Sequence, residues 1–239
     1  MNIYEKPFRI EIDGTKLVVD GRTFVPAVRT FKDLLPVLME EPDKDGEAYY
    51  MYREVYKVGS LRYDITLIPR WQLKSEFAKT YGHCHPIAEK TLTYPEVYQV
   101  LDGEAIFLLQ KELRDGSFSV STVEAKKGDV LLIPPNFCHT TVNPGAGPLL
   151  LANIVSDAFT PDYSFYKRNH GAAYYYTGEK IFRQNASYMI TKNERVHVAE
   201  INLRYGFQCR DLLAEFYASP DKFAFLNKPS LLKLEGRDL

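Results

Sequence analysis

Four side chains carry the chemistry that this sequence can do: His83, His85, Glu96 and His139, set in what reads as a small β-barrel. His83 and His85 are two apart, so if residues 79–86 are extended both imidazoles leave one face and Cys84 points to the other. Glu96 opens the strand after the 87–95 connection, on the same face as Tyr98 and Val100. His139 follows Pro134-Pro135-Asn136-Phe137-Cys138, where the prolines end a strand and turn the chain over the barrel mouth. Three of the five histidines fall into this pattern, whereas His170 and His197 lack partners at ligand spacing. Three imidazoles and one carboxylate are a borderline-hard donor set, suited to Fe²⁺, Mn²⁺, Ni²⁺ or Zn²⁺ rather than Ca²⁺. On an octahedral ion they would leave two adjacent positions for substrate oxygens. The plainer alternative is that the histidines hydrogen-bond inside the barrel while Glu96 pairs with Lys79 or Lys90.

The elements that would position these residues are short antiparallel strands. Runs at 49–58 and 61–68 flank Gly59-Ser60, which suits a type II′ turn, and runs at 96–101 and 104–110 flank Asp102-Gly103, which suits type I′. Further strands are expected over 117–123, 130–134 and 149–155, the last apolar enough to be buried on both faces. Strands at this spacing predict an all-β barrel or jelly roll. Asp33 can cap a helix over 34–41 with Pro36 in its first turn. Later segments are weaker: 172–176 and 188–191 read as strands, and 209–217 places Leu212, Leu213, Phe216 and Tyr217 on one helical face. The expected division is a barrel domain over 1–191, including the N-terminal helix, and a C-terminal extension over 192–239 packed on it.

Composition narrows the class. With 17 Tyr and 14 Phe and 45 % hydrophobic residues the chain is globular and strand-prone, and a formal charge of -1 provides no broad field for nucleic acid or anionic membrane. Any anionic substrate must be met by a local pocket. Without a signal-like or membrane-spanning apolar stretch, the expected location is the cytoplasm. Three cysteines, Cys84, Cys138 and Cys209, are too few and irregular for a disulfide framework, and Cys84 reads as a core thiol.

The stretch His83-x-His85-x10-Glu96-x6-Gly103 resembles the first cupin motif, and Gly128-x5-Pro134-x4-His139-x3-Asn143 resembles the second, with Asn136 where many cupins have Gly. The fold so implied is a cupin, a double-stranded β-helix or jelly-roll barrel, here with short helices. More closely, the runs 79–86, Tyr94-Pro95-Glu96-Val97-Tyr98, Leu108-Leu109-Gln110 and 135–143 resemble the cupin-type glucose-6-phosphate isomerases of archaea and some bacteria. That resemblance implies interconversion of glucose 6-phosphate and fructose 6-phosphate, in glycolysis and gluconeogenesis, on one bound divalent ion, iron in the cell. The chain departs from it at Pro161, where some members have His, and in its longer C-terminal tail.

Isomerisation moves hydrogen between C1 and C2, and a cis-enediol route needs a group that shuttles a proton on one face. Glu96 is the only carboxylate in the motif and is the candidate base as well as ligand, with Tyr98 beside it, although a metal-bound carboxylate is a weak base unless it loosens and a hydride shift needs no such base. Family resemblance and strand geometry together point to Thr66, Thr80, Gly82 and Tyr163 around the phosphate, and Tyr52 and Tyr98 near the sugar. Gly82 would admit the phosphate to the main chain. Lys79, alternating away from Thr80, reads as a solvated charge. Two other readings share the ligand set: an Fe(II) cupin dioxygenase and a non-catalytic sugar-binding cupin. Cupin edge strands leave unpaired backbone groups that a second subunit can cover, so a homodimer is expected.

Overall fold

The computed structural model describes residues 1–233. Residues 234–239 of the expected extension lie outside the described residues. Ten strands form the barrel: β1 (Ala27–Thr30), β2 (Glu47–Val58), β3 (Leu61–Ile68), β4 (Glu96–Asp102), β5 (Glu104–Glu112), β6 (Phe118–Lys126), β7 (Val130–Ile133), β8 (Cys138–Val142), β9 (Leu149–Ser156) and β10 (Ile190–Arg195). One sheet has the order β7-β4-β9-β3-β2-β1 and the other β8-β5-β6-β10. Neighbours are antiparallel except β6 and β10, which run parallel. The inner faces meet where Tyr98 of β4 packs on Phe107 of β5, with ring centroids 5.4 Å apart. This two-sheet jelly roll is the cupin architecture expected from the sequence.

Sequence explains the joints. Gly103 has φ +88°, and a Cβ there would lie 2.8 Å from the Pro148 carbonyl oxygen, so glycine is required by close approach as well as by conformation. Asp102 does not share the positive φ and β4 and β5 do not pair, so the expected type I′ hairpin does not form; Gly103 instead carries the chain from one sheet to the other, and the register of β4 against β9 shifts between Val100 and Asp102. All eight residues of β9 are buried, as its largely apolar run, interrupted by Asn153, suggests.

The N-terminal helix differs from expectation. It is one turn, α1 (Phe31–Leu34), capped by Thr30, with Asp33 at the third helical position returning a hydrogen bond to the Thr30 N–H at 2.8 Å. Asp33 is thus the reciprocal partner of the cap, and the chain passes at once into a 3-10 turn, Leu35–Val37. A four-stranded meander over Asn2–Tyr4, Ile10–Asp13, Lys16–Val19 and Arg22–Phe24 precedes it.

After β9 come α2 (Ser164–Arg168), α3 (Val198–Arg204) and α4 (Leu212–Ala218). β10 runs through the boundary expected at 191/192, so the sheet takes residues that were assigned to the extension. Asp211 caps α4 by accepting from Ala214 N at 3.0 Å, which starts the helix later than 209. Its Leu212, Leu213 and Phe216 are buried, and Leu212 N donates to Gln99 Oε1 of β4 at 3.0 Å. From α3, the Asn202 side chain donates to Val130 O at 2.6 Å and accepts from Leu132 N at 2.9 Å. It thereby occupies the free edge of β7, much as another strand would. Among the described residues no helix is long and apolar enough to cross a membrane.

Candidate metal centre and substrate pocket

The segment that carries two histidines is fastened along β8. Thr80 N donates to Thr141 O at 2.9 Å, and His83 and His139 exchange backbone hydrogen bonds of 3.1 and 3.0 Å. Between these ties Gly82 takes φ +81°, and a Cβ there would fall 2.5 Å from the Tyr166 ring. The glycine is needed for that ring, a different reason from the phosphate approach expected of it. His83 and His85 share a face as the alternation requires, and their Nε2 atoms are 3.0 Å apart.

His83, His85 and His139 and, from the other sheet, Glu96 present one donor atom each, all within 4.8 Å of one another. Glu96 Oε2 lies 3.2 Å from His139 Nε2, 3.5 Å from His85 Nε2 and 3.9 Å from His83 Nε2. It is buried and hydrogen-bonds to none of them. Four donors converging on one point with a carboxylate oxygen otherwise stranded is the arrangement a divalent ion would satisfy. The supporting contacts fit the same reading. Asn153 Nδ2 donates to Glu96 Oε1 at 2.7 Å, and His85 Nδ1 donates to Tyr94 O at 2.8 Å, leaving its Nε2 lone pair aimed at the centre.

The electrostatics hold these groups in their ligating forms. Burial, reinforced by the other histidines, pushes His83 well below its usual range, and burial likewise brings His85 down to about 4. Both are neutral near pH 7, as ligands must be. Burial alone would raise Glu96, but its contact with His139, then His85 and Arg53, outweighs this and keeps it below the ordinary carboxylate value. Burial and the Glu96 charge drive Tyr98 far up, so its hydroxyl stays protonated, 3.4 Å from His139 Nε2.

The pocket over the cluster is lined by Thr66, Thr80, Gly82, Tyr98 and Tyr163, all expected there. Tyr52 is not among its walls: fully buried, it donates to Thr15 O on the other side of β2. Its alternates Tyr49 and Met51 line the pocket instead. The Thr80 hydroxyl is committed to strand pairing, accepting from Thr141 N at 3.0 Å and lying 3.2 Å from Thr140 Oγ1. Lys79 is buried at 4 % exposure, not solvated: it pairs with Glu76, donates to Val37 O at 2.6 Å and lies over the Tyr175 ring. Cys84 does face away from the ligands but is no free core thiol, since it forms a disulfide with Cys138, and Cys209 alone stays reduced. Asn153, Arg53, Arg62 and Phe159 also line the pocket and are absent from the motif reading. Asn153 was detectable as the one polar residue inside the run Leu149 to Val155.

The profile of the glucose-6-phosphate isomerase (GPI) family matches residues 28–191, more than half of the chain. The chain belongs to the glucose-6-phosphate isomerase family. Glucose-6-phosphate isomerases of Thermococcus gammatolerans and Pyrococcus furiosus are each 26 % identical to it, over 172 and 170 residues, covering 69 % and 67 % of this chain and 86 % and 85 % of theirs. That of Thermococcus onnurineus is 27 % identical over 172 residues, with 69 % and 86 % covered. Among solved structures, an oxalate decarboxylase–formate complex from Lactobacillus farciminis has TM-score 0.37 and 20 % identity, covering 49 % of this chain and 31 % of its own. An RmlC-like cupin from Shewanella frigidimarina has TM-score 0.31 and 20 % identity, covering 47 % and 79 %. Likeness at that level says nothing about chemistry. The family match ends inside β10, so α3 and α4 lie beyond the part shared with the isomerase family.

Proposed function

We propose that this chain interconverts glucose 6-phosphate and fructose 6-phosphate with one divalent ion, iron(II) by preference, held by His83, His85, Glu96 and His139. The observation that carries the reading is the buried, unbonded Glu96 Oε2 at the focus of three imidazoles, in a member of an isomerase family. When bound, such an ion supplies Lewis-acid polarisation of the sugar's carbonyl and neighbouring hydroxyl. The protein does the rest. Asn153 holds Glu96 by its other oxygen, so the carboxylate keeps a fixed direction while it moves the proton between C2 and C1 through a cis-enediol. Tyr98, protonated throughout, donates to a sugar oxygen as negative charge develops there. Phe159, stacked on Tyr94 at 4.5 Å and against His85, together with Met51 and Val155, keeps water from the reacting carbons. Thr66, Gly82 and Tyr163 face the phosphate end. A homodimer pairing through the β1 edge, where Val28 is exposed, completes the reading.

The test is anaerobic removal of metal, reconstitution with Fe²⁺, Mn²⁺, Ni²⁺ or Zn²⁺ in turn, and a coupled assay for glucose 6-phosphate, run in D₂O. Isomerase activity that returns with metal, and product carrying solvent deuterium, are expected. Activity with no deuterium incorporation would argue strongly against the enediol route while leaving the isomerase reading intact.

A further inference from the structure

The Thr80 hydroxyl is taken up by β8, and the other residues expected at the phosphate carry no charge, so a sugar-phosphate dianion needs cations from elsewhere in the pocket. β2 supplies one, Arg53, on the face of Tyr49 and Met51 and at the start of an irregularity. Tyr52 pairs with Ile65 and Tyr56 with Tyr63, so residues 53–55 oppose Asp64 alone. Such a bulge re-aims a side chain, and this one places Glu54 at φ +52°, a conformation that non-glycine residues seldom adopt. Asp64, fully buried, holds it: Oδ1 accepts from Glu54 N at 2.8 Å and Oδ2 from Arg53 Nη1 at 2.8 Å. The Nε of Arg62 lies 3.1 Å from the same Oδ2.

Two guanidiniums on one carboxylate leave a net positive charge, and both arginines line the pocket that holds the metal ligands. Among the described residues, Arg53 Nη2 donates to the Met51 thioether alone, at 3.1 Å, a weak acceptor that a better one would displace. Tyr98, Asn153 and Asp64 form one row across β4, β9 and β3. The arginine anchor therefore stands two strand spacings, about 10 Å, from Tyr98. An open-chain sugar with its reacting carbons at the ligand cluster carries its far, phosphorylated end towards these arginines.

Resting on the isomerase reading above, we infer that Arg53, aimed by Asp64 and seconded by Arg62, is the specificity-determining residue of this site. It receives the substrate's phosphate through its free guanidinium edge, and so selects phosphorylated over free sugars. Arginine suits this role because its planar fork engages phosphate oxygens in pairs.

The experiment measures inorganic phosphate as the probe, by calorimetry on the metal-loaded enzyme and as a competitive inhibitor, in wild type, Arg53→Gln, Arg53→Lys and Arg62→Gln. For Arg53→Gln the phosphate dissociation constant and the KM for glucose 6-phosphate should rise together by roughly 10- to 100-fold, the loss expected of a charge-assisted pair. Arg53→Lys should recover part of this, because charge returns without the fork, and Arg62→Gln should show a smaller rise. Should Arg53→Gln not fold, the Lys and Arg62 variants carry the same comparison. Phosphate affinity within twofold of wild type in the folded variants overturns the inference, as does a fall in kcat with KM and phosphate affinity unmoved, which would put Arg53 at the reacting carbons. If wild type fails to isomerise glucose 6-phosphate yet loses phosphate affinity in Arg53→Gln, the isomerase reading fails and the anion site stands.

Discussion

Opening the Cys84–Cys138 disulfide should cost both stability and metal affinity. The bridge joins residues 54 apart in sequence whose Cα atoms are 4.2 Å apart, and each cysteine adjoins a histidine of the candidate metal cluster. In the chain-entropy account, closing a loop of that length in the unfolded state stabilises the fold by about 4 kcal/mol, with about 2 kcal/mol a fair lower figure once the unfolded chain's own structure is allowed for. For a chain of this size each kcal/mol shifts the melting temperature by about 2–4 °C, so Cys84→Ser/Cys138→Ser should melt roughly 4–16 °C below wild type. His83 and His139 still share two backbone hydrogen bonds, so the strands should stay paired and the variant should fold. The assay is thermal unfolding of wild type with and without a dithiol reductant, beside the double variant, with thiols counted by mass spectrometry and metal affinity by chelator competition. Reduced wild type and the variant should agree. A melting temperature unchanged after two thiols have been shown to form would refute the reasoning, because the bridge would then constrain nothing that the strand pairing does not.

Other perturbations separate parts of the site. Asn153→Ala frees Glu96 Oε1 and should weaken metal binding about 10- to 100-fold with little change in fold, read by chelator competition. Gly82→Ala must place a methyl 2.5 Å from the Tyr166 ring at a positive φ, and should destabilise by roughly 2–5 kcal/mol in denaturant titration; the companion Gly82→Ala/Tyr166→Leu should recover part of it. Tyr98→Phe should keep its metal and its KM but lose about tenfold in kcat, the contribution of one directed hydrogen bond.

What the sequence disclosed follows from distance along the chain. Two histidines at i and i+2 declare a common face through strand alternation, and the hairpin around Gly59 makes β2 and β3 neighbours; the hairpin expected around Gly103 does not form, because β4 and β5 belong to opposite sheets. Features set by long-range pairing stayed hidden. Cys84 meets Cys138 only because the 79–86 segment docks on β8, which composition does not reveal. Lys79 reads as solvated until Glu76, Val37 and Tyr175 are seen to close over it. Tyr52 failed by phase: its neighbours Tyr49 and Met51 face the pocket, and alternation sends Tyr52 to the other side. Arg53 escaped notice for the same reason: it follows Tyr49 and Met51 in the alternation, on the face opposite Tyr52, and the buried Asp64 that fixes its guanidinium lies eleven residues on. The helix start slipped because Asp33 and Thr30 are both good caps and the capping box uses both.

The central claim is that His83, His85, Glu96 and His139 bind the ion on which isomerisation depends. Its most direct test is titration of metal-depleted protein with Fe²⁺ under anaerobic conditions, following bound metal and glucose 6-phosphate formation in the same samples. Activity should rise in proportion to bound metal and level off at about one ion per chain, and His139→Ala should shift the whole curve to higher metal. Full activity in protein shown to be free of metal would contradict the account.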